Sequence, residues 1–269
     1  GATLRDGTRV TGLENLGTSW QVQTTQGTMV GRFLIAADGA RGSMAKWLGF
    51  NQRRYQLAAA LEAEPRLEVP ADPVVYFDLG LLQRGYLWNF PKADGYSIGG
   101  GVFRSGAQRR QDLRTPVADY SAQFNVDAAQ IKHFGHPILI WDGPQVLHTQ
   151  RALLAGEAAC VVDPFTAEGI RPSIFSGLKA AGAIAAALQG NEQALAGYSE
   201  TMNREWGEEM RWARRLARLV YQAPGLAYRV GVKRPSSSET MVKIFCGELR
   251  YAQVAQRAIR RLTPGLILE

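Results

Sequence analysis

The chain has 269 residues, 46% hydrophobic and 20% charged, so it has the composition of a globular protein and can bury a substantial core. No apolar run approaches the roughly 20 residues that span a bilayer, and no signal-peptide pattern is present. The formal net charge of +7 favours an acidic partner, such as an anionic membrane surface or a phosphorylated cofactor, whereas no motif for nucleic-acid binding occurs.

The first part of the chain predicts a small antiparallel meander that leads into a buried strand. Its β-like runs are separated by turn residues and lie at 9–11, 20–24 and 28–30. The buried strand covers residues 32–37 and ends at Asp38-Gly39. A short helix closed by Gly49 follows this turn.

The middle of the chain predicts an antiparallel sheet inserted between two halves of another domain. Its strand-like runs, separated by Gly, Pro and Asp, lie at 56–63, 74–79, 85–91, 96–103 and 138–141. One or two helical turns are expected within 107–125, and Val126-Asp127 can cap another short helix. Such a long excursion suits a substrate cavity lying against a cofactor.

One strand of this sheet carries three alternating aromatic residues, Tyr86, Trp88 and Phe90. Alternation places all three on the same face, where they form an apolar wall with a phenol and an indole N–H as polar groups. Periodicity alone favours a packed core over a pocket for such a face.

Residues 151–188 predict a strand, a loop and a helix that together suit a nucleotide-type cofactor. The strand ends at Gly156-Glu157, and a carboxylate there can accept hydrogen bonds from a sugar or polyol. Gly169 lets a ligand approach the backbone, and the helix that begins near Ile170 directs N–H groups and a positive dipole at it. The alternative is an ordinary strand–loop–helix crossover with conventional turn residues.

The last part of the chain predicts helices. An amphipathic helix over 194–219 has an Arg-rich face, and helices over 239–262 follow a loop at 234–238. A basic, Trp-containing helix suits either an anionic membrane or a solvated outer face, and both remain open.

Cysteine and histidine provide no metal site in this sequence. Cys160 and Cys246 lack metal-ligand spacing and are expected to be free thiols in a reducing compartment. His133 and His136 lie among Phe, Gly and Pro residues that predict a turn, and no further ligand completes a set. We therefore expect a cytoplasmic protein, with peripheral contact to a membrane left open.

The loop and helix after residue 155 resemble the second flavin-binding motif of FAD-dependent oxidoreductases, in the version of the geranylgeranyl reductase family. That family has Gly-Asp-Ala-Ala, a Pro, then Thr-Gly-Glu-Gly-Ile, and this chain has Gly156-Glu157-Ala-Ala, Pro164 and Thr166-Ala-Glu-Gly-Ile170. Glu157 replaces the usual Asp, and Ala167 replaces a Gly. The resemblance implies that Gly156, Glu157, Pro164, Gly169 and Ile170 bind the cofactor around its ribityl chain and flavin.

Two further segments match the same family. The Asp38-Gly39 turn resembles its Asp-Gly motif, which implies a place near the pyrophosphate and adenosine, with Arg41 or Ser43 supporting the turn. The segment from Tyr86 to Lys92 is similar to its Tyr-x-Trp-x-Phe-Pro-Lys strand, which implies that Tyr86, Trp88 and Phe90 line a lipid-substrate cavity.

The predicted fold class is α/β (α+β), with three parts. Residues 1–50 and 151–190 form a partial FAD-binding, Rossmann-like domain. Residues 51–150 form the inserted antiparallel-sheet substrate domain, and 191–269 a C-terminal helical region.

The family's fold opens with a β-α-β unit bearing Gly-x-Gly-x-x-Gly, and no such run occurs in these 269 residues. The resemblance therefore covers only the later part of the family's chain, and FAD binding by this chain alone is expected to be weak or absent. Whether the first half was truncated, cleaved or never encoded stays open.

With that half supplied, the resemblance implies an FAD-dependent reductase that uses NADPH as donor and reduces C=C bonds of an isoprenoid. No catalytic residue is assigned. Two alternatives remain: a flavin-dependent hydroxylase or halogenase on the same scaffold, and a cofactor-free remnant that binds a lipid or pigment.

Overall fold

The computed structural model describes residues 1–103, 111–191, 193–223, 225, 228–229, 233 and 235–262. The chain divides into two compact units. Unit 1 comprises residues 1–55, 141–163 and 167–208, and unit 2 comprises residues 56–140, 164–166 and 209–269. The first predicted turns of the 107–125 segment lie partly outside the described residues.

Unit 1 begins with the predicted antiparallel meander, which is confirmed. Strands β1 (Val10–Asn15), β2 (Trp20–Thr24) and β3 (Gly27–Gly31) pair in chain order. Trp20 is buried, and its indole Nε1 donates to the carbonyl oxygen of Gln150 at 2.9 Å. This bond ties the meander to the turn between two strands of the second sheet of the unit.

The second sheet of unit 1 is small and centres on a parallel pair. Strand β4 (Leu34–Ala36) leads to helix α1 (Met44–Trp47), and far along the chain lie β10 (His148–Thr149) and β11 (Ala152–Leu154). The strand order is β10-β11-β4, with β11 antiparallel to β10 and parallel to β4. All three residues of β11 are buried, as expected of a parallel strand.

Helix α3 (Ile170–Leu188) follows β11 and buries one face, formed by Pro172, Ser176 and Ala180. Helix α4 (Ala194–Thr201) continues through a π-helical turn (Met202–Trp206) into α5 (Gly207–Gln222). The single α-helix predicted over 194–219 is therefore interrupted. The π turn buries both Met202 and Trp206, and the indole of Trp206 donates to the carbonyl of Val161 at 2.8 Å.

Unit 2 contains the predicted antiparallel sheet, with the strand order β6-β7-β8-β5-β9. The strands are β5 (Tyr55–Ala63), β6 (Tyr76–Leu79), β7 (Gly85–Lys92), β8 (Gly95–Phe103) and β9 (His133–Trp141). A two-residue turn joins β7 to β8, whose register runs from Lys92 opposite Gly95 to Gly85 opposite Val102.

One face of this sheet packs against helix α2 (Arg114–Ala122), which precedes a 3-10 turn at Ala128–Gln130. The buried cluster between them combines sheet and helix side chains: Leu82, Leu87, Ile98, Val102, Leu113, Val117, Tyr120 and Val126. The short helix expected after Val126-Asp127 corresponds to the 3-10 turn.

Two local predictions are wrong. His133 and His136 lie in strand β9 and not in a turn. Pro137 has no amide hydrogen to donate, but a sheet tolerates proline in an edge strand, and β9 lies at the edge of the described sheet. Residues 235–238 are helical and not a loop, because Pro235 is the first residue of helix α6 (Pro235–Phe245), a position that suits its fixed φ. Helix α7 (Tyr251–Leu262) follows.

Among the described residues, every helix is too short or too polar to cross a membrane.

Candidate functional site

The ends of β4 and β11 lie side by side. Leu34, Ile35 and Ala36 pair in parallel with the three residues of β11, and the amide of Ala155 donates to the carbonyl of Ala36 at 2.9 Å. Because parallel strands end at the same edge, the turns at Asp38-Gly39 and Gly156-Glu157 leave the sheet together. This edge is where ligands bind in open α/β sheets.

Glu157 and Gly39 are neighbours at this edge. A Cβ atom placed on Gly39 would lie 3.9 Å from Oε2 of Glu157, and Gly39 has a φ of +74°. Glycine at position 39 therefore satisfies a left-handed turn, and the Glu157 carboxylate lies within ordinary contact distance of it. The side chain of Glu157, one methylene longer than the family's Asp, reaches across to the other strand end.

Asp38 holds its own turn together. Its Oδ2 accepts a hydrogen bond from the amide of Met44 at 2.9 Å, at the start of α1. A Cβ on Gly42 would come within 2.0 Å of the Asp38 carboxyl carbon, so that position must remain a glycine while the carboxylate is so placed. The carboxylate of Asp38 thus supports the turn. The resemblance implied this role for Arg41 or Ser43, but the Ser43 side chain makes no capping hydrogen bond.

The segment after β11 turns through a short 3-10 helix, Gly156–Ala159. Gly156 has a φ of +61°, its amide donates to Oγ of Ser176 at 2.9 Å, and an added Cβ would meet Oγ of Ser173 at 3.3 Å. Two serines one turn apart on α3 thereby fix the position from which Glu157 projects.

The N-terminus of α3 offers fewer free N–H groups than the sequence suggested. Oε1 of Glu168 accepts the amide of Arg171 at 2.7 Å, and Pro172 has no amide hydrogen. At most the amides of Gly169 and Ile170 remain for a ligand. The site at this helix end is therefore weaker for an anion than an unoccupied first turn would be.

Neither the backbone conformation nor the neighbouring atoms of the protein require a glycine at position 169. Its φ is −124°, and an added Cβ would make an ordinary 3.4 Å contact with Val162. Ile170 is 78% exposed. Both predicted cofactor-binding residues are therefore accessible at the helix start.

The loop between β11 and α3 contains Pro164 and Ala167. Pro164 is buried, and the turn that contains it is closed by the amide of Ala167, which donates to the carbonyl of Asp163 at 2.9 Å. Ala167 has a φ of +57°, a conformation that favours glycine. The family's glycine at this place thus has a conformational reason, and this chain keeps the conformation with an alanine.

Three polar residues that the sequence did not single out hold the 156–160 segment. The guanidinium of Arg53 donates to the carbonyl of Ala158 at 3.0 Å, and Nε2 of Gln145 donates to that of Ala159 at 3.2 Å. Gln145 is held in turn by Asn203, whose Oδ1 accepts the Gln145 amide at 3.0 Å. Arg53 and Gln145 come from distant parts of the chain, so no local pattern could indicate them.

Cys160 is the last residue of this segment. It is fully buried, and burial raises the pKa of its thiol from 9.0 to about 11, although Arg53 nearby opposes the shift. The thiol therefore remains protonated at neutral pH. Cys246 is exposed, and neither cysteine forms a disulfide.

Unit 1 also has an open cavity of about 410 Å³ near Arg53 and Gln145. Its lining is mostly polar: Gly49, Phe50, Asn51, Gln52, Arg53, Gln145 and Val146. None of the predicted site residues lines it.

In unit 2, Tyr86, Trp88 and Phe90 share one face of β7, as predicted. Neighbouring ring centroids are 5.7 Å and 6.0 Å apart. This aromatic face is largely covered within the unit, because Phe77 stacks on Tyr86 at 4.1 Å and Phe245 packs against Phe77 at 5.8 Å. Tyr86 and Trp88 are 7% and 8% exposed, and Phe90 is half-buried.

The polar groups of this face are bonded internally. The Tyr86 hydroxyl donates to the carbonyl of Thr166, and Nε1 of Trp88 donates to Oγ of Ser97 at 2.9 Å. What the face can offer a ligand is therefore apolar surface, chiefly at Phe90.

The sequence is similar to several curated reductases. It is 28% identical over 173 residues to digeranylgeranylglycerophospholipid reductase of Thermoplasma acidophilum, covering 60% of this chain and 42% of that protein. The enzyme of the same name from Methanocaldococcus jannaschii is 26% identical over 252 residues, or 89% and 61% of the two chains. The chloroplastic geranylgeranyl diphosphate reductase of Arabidopsis thaliana is 28% identical over 180 residues, or 64% and 37%.

The chain thus spans about half the length of the curated relatives it matches. No protein-family model matches the sequence.

Solved structures share the fold. A geranylgeranyl bacteriochlorophyll reductase-like protein of Thermoplasma acidophilum superposes with a TM-score of 0.65 at 21% identity, covering 78% of this chain and 57% of the other. An anhydrotetracycline hydroxylase from Streptomyces rimosus gives 0.58 at 18% identity, covering 91% and 52%. The predicted mixed α/β fold with an inserted antiparallel sheet is confirmed. The resemblance to the geranylgeranyl reductase family, first seen in the motifs at residues 38, 86 and 156, is confirmed by these homologous reductases.

Proposed function

We propose that this chain contributes one side of an FAD site in a reductase that acts on C=C bonds of an isoprenoid substrate. The observation that supports this most directly is the carboxylate of Glu157 beside Gly39, at the ends of two adjacent parallel strands. A carboxylate at such an edge can accept hydrogen bonds from the hydroxyls of a polyol chain.

The residues present fit part of FAD. Glu157 would accept hydrogen bonds from the ribityl chain, and the turn at Asp38-Gly39 would lie on the pyrophosphate side. The amides of Gly169 and Ile170 would face the flavin. A Gly-rich turn for the pyrophosphate is missing from the sequence, so we expect the chain alone to bind FAD only weakly, within the range that a millimolar titration reaches.

When bound, FAD would supply the hydride that it receives from NADPH or another donor. The chain's own contribution is to orient the cofactor and to keep water from a hydrocarbon. Because Tyr86 and Trp88 use their polar hydrogens internally, these two side chains and Phe90 present apolar surface. Such a surface suits an isoprenoid and offers no hydrogen bond to a polar substrate.

Titration with FAD, followed by visible absorbance and protein fluorescence, tests this proposal. Glu157→Ala should weaken binding about tenfold or more, since hydrogen bonds to a charged group contribute about 1.5–3 kcal/mol. The matched control is Glu200→Ala, which removes an exposed carboxylate of α4. Equal affinity of the two variants would contradict the assignment of Glu157. Isoprenoid binding by a chain that takes up no FAD up to millimolar concentration would instead support the cofactor-free lipid-binding alternative.

A flavin-dependent hydroxylase is the second candidate, because the anhydrotetracycline hydroxylase shares the fold over most of this chain. Oxygen-dependent consumption of NADPH with an aromatic substrate would support it. Anaerobic saturation of a geranylgeranyl compound, detected by mass spectrometry, would support the reductase.

An isoprenoid substrate also suits peripheral contact with a membrane. Helix α5 exposes Arg215 and Arg218 beside Leu219, which is 53% exposed. Cations next to an apolar side chain suit an anionic lipid surface. Sedimentation with phosphatidylglycerol vesicles should exceed that with phosphatidylcholine vesicles, and R215E/R218E should abolish the difference. Equal sedimentation with both lipids would contradict the contact.

A further inference from the structure

Arg53 is a half-buried cation of unit 1 that lacks a carboxylate partner. Its Nη1 donates to the carbonyl of Ala158 at 3.0 Å, and its Cζ lies 5.9 Å from the centre of the Tyr55 ring. Among the described residues, no carboxylate lies within ion-pair distance of Arg53. Charges that are removed from water are usually paired, because their desolvation costs free energy. The positive charge of Arg53 is therefore available to an anion from solution.

Arg53 lines the open cavity of unit 1, which has a volume of about 410 Å³ and is called the Arg53 cavity below. Of the described residues that line it, Arg53 is the only charged one. The side chains of Asn51 and Gln52 are exposed and add amide groups to the lining. Small-molecule sites typically have volumes of roughly 300–1,000 Å³, so the cavity is large enough for a small ligand.

Two apolar side chains, Phe50 and Val146, complete the surface that a ligand would meet. Phe50 is half-buried, and Val146 is 60% exposed. Gln145 offers a ligand little, because its side chain is already bonded. Its Nε2 donates to the carbonyls of Ala159 at 3.2 Å and Arg54 at 3.4 Å, and its Oε1 accepts the amide of Arg54 at 3.0 Å.

These groups fit a carboxylate that is attached to a small apolar body. A planar guanidinium matches the geometry of a carboxylate and forms charge-assisted hydrogen bonds with it. One carboxylate also balances the single positive charge of the lining. A phosphate group carries a charge of roughly −1.5 to −2 at neutral pH and would leave negative charge unbalanced.

We propose that the Arg53 cavity is a binding site for a small monocarboxylate, with the carboxylate on Arg53 and the apolar body against Phe50 and Val146. Because Arg53 also holds the carbonyl of Ala158, the bound ligand would stabilise the 156–160 segment, from which Glu157 projects. The site rests on the cavity and its unpaired cation, and only an effect on FAD would rest on the proposed function.

NMR titration of the isotopically labelled full chain with benzoate tests the site. We expect shifts centred on residues 49–53 and 145–146, with a dissociation constant in the millimolar range or below. Benzamide has the same ring but no charge, and it should bind about tenfold more weakly or worse, because charge-assisted hydrogen bonds are the stronger ones. Inorganic phosphate should also bind more weakly than benzoate.

Two pairs of variants make the test specific. R53Q should weaken benzoate binding about tenfold or more, whereas R54Q removes an exposed arginine outside the lining and should not. Q52E should weaken it severalfold, because it adds a negative charge to the lining and gives Arg53 an internal partner. Q26E places the same charge on an exposed turn elsewhere in unit 1 and should bind benzoate like the parent. Since Gln52 is exposed, Q52E keeps the test decisive even where R53Q fails to fold.

The effect on the 156–160 segment has its own measurement. Cys160 is fully buried, so iodoacetamide reaches its thiol only when the structure around it opens. Benzoate at about ten times its dissociation constant should slow the labelling of Cys160 about tenfold, by mass action. Cys246 is exposed, and its labelling should not change.

Several results would overturn the proposal: no shifts with benzoate up to tens of millimolar, equal binding of benzamide, tighter binding of phosphate, or equal weakening by R54Q or Q26E. Shifts centred on residues 39 and 157 would overturn it as well, because benzoate would then occupy the proposed cofactor edge. Binding without protection of Cys160 would overturn the effect on the 156–160 segment. Failure of FAD to bind would contradict the proposed function and leave the Arg53 cavity intact, whereas displacement of benzoate by FAD would contradict a separate site.

Discussion

The two principal sheets of the molecule are completed to different degrees. In unit 2, five antiparallel strands are covered by α2 on one face and by aromatic side chains on the other. In unit 1, β4 and β11 are three residues long and are separated by more than 100 residues of sequence. Among the described residues, β4 has no partner on its outer edge.

The difference follows from how each kind of sheet is connected. Antiparallel strands need only tight turns, such as the one between Lys92 and Gly95, so neighbouring segments can complete the sheet. Parallel strands need long crossovers, and their partners come from distant sequence. The antiparallel sheet is therefore built mainly from neighbouring segments, whereas the proposed ligand-binding edge lies on the sheet that depends most on remote segments.

The largest expected effect tests how tightly the antiparallel sheet of unit 2 is packed. A Cβ on Gly99 would lie 2.4 Å from the Trp88 ring and 2.7 Å from the Leu61 carbonyl, so Gly99→Ala should lower the free energy of unfolding by about 3 kcal/mol. Urea denaturation followed by tryptophan fluorescence measures the change.

Gly101→Ala is the control on the same face of β8, since its Cβ would make ordinary contacts at 3.6 Å and 3.8 Å. Equal costs for the two substitutions would show that the sheet yields easily and would weaken the contrast with unit 1.

The next effect is a loss of stability at alkaline pH, and it tests how well Cys160 is buried in the interior of unit 1. Burial raises the pKa of Cys160 from 9.0 to about 11, so the unfolded chain loses this proton first. The stabilisation is complete below pH 9 and declines between pH 9 and about 11, by on the order of 2 kcal/mol.

Urea denaturation at several pH values should therefore show a shallower alkaline decline for Cys160→Ala than for the parent. Cys246→Ala, which alters an exposed thiol, should behave like the parent. Parallel declines in all three proteins would mean that the interior beneath the strand ends is open to solvent.

A smaller effect tests the turn at the end of β4, at the proposed ligand-binding edge of the sheet. Gly39→Ala places a side chain at a φ of +74° and beside the Glu157 carboxylate, so we expect a loss of about 1–2 kcal/mol in the free energy of unfolding. Thermal or urea denaturation measures it. An unchanged stability would indicate that the turn relaxes freely and does not hold the two strand ends in place.

The smallest effect has the opposite sign. Ala167 adopts a φ of +57°, so Ala167→Gly should remove about 1 kcal/mol of backbone strain, less the entropy that glycine loses on folding. The net gain in denaturation free energy should be a few tenths of a kcal/mol. A clear loss of stability would place the strain elsewhere in the loop.

Strands and the main helices were predictable because their hydrophobic periodicity is local. The meander, the aromatic alternation in β7 and helix α3 are each specified by residues a few positions apart. Two of the errors, the turn expected at 133–136 and the uninterrupted helix over 194–219, arose where tertiary context prevailed over local signals. Pro137 is tolerated because β9 lies at an edge, and the π turn at 202–206 is stabilised by packing that no local pattern encodes.

The site was predictable only in part. Glycines and a carboxylate at strand ends were recognisable as motifs, and the pairing of β4 with β11 places them together. The donors that hold the loop, Arg53 and Gln145, come from remote positions and carry no motif. The burial of Tyr86 and Trp88 also depends on Phe77 and Phe245, which lie on other elements.

The amino-acid sequence by itself determined the kinds of element, their order, and the chemical groups at two strand ends, because periodicity and turn chemistry act over a few residues. Only the tertiary structure decided that Glu157 lies against Gly39 and that, within the described residues, β4 keeps an unpaired edge and α3 keeps exposed apolar side chains. Those outcomes depend on contacts between segments far apart in the chain, which a local pattern does not specify.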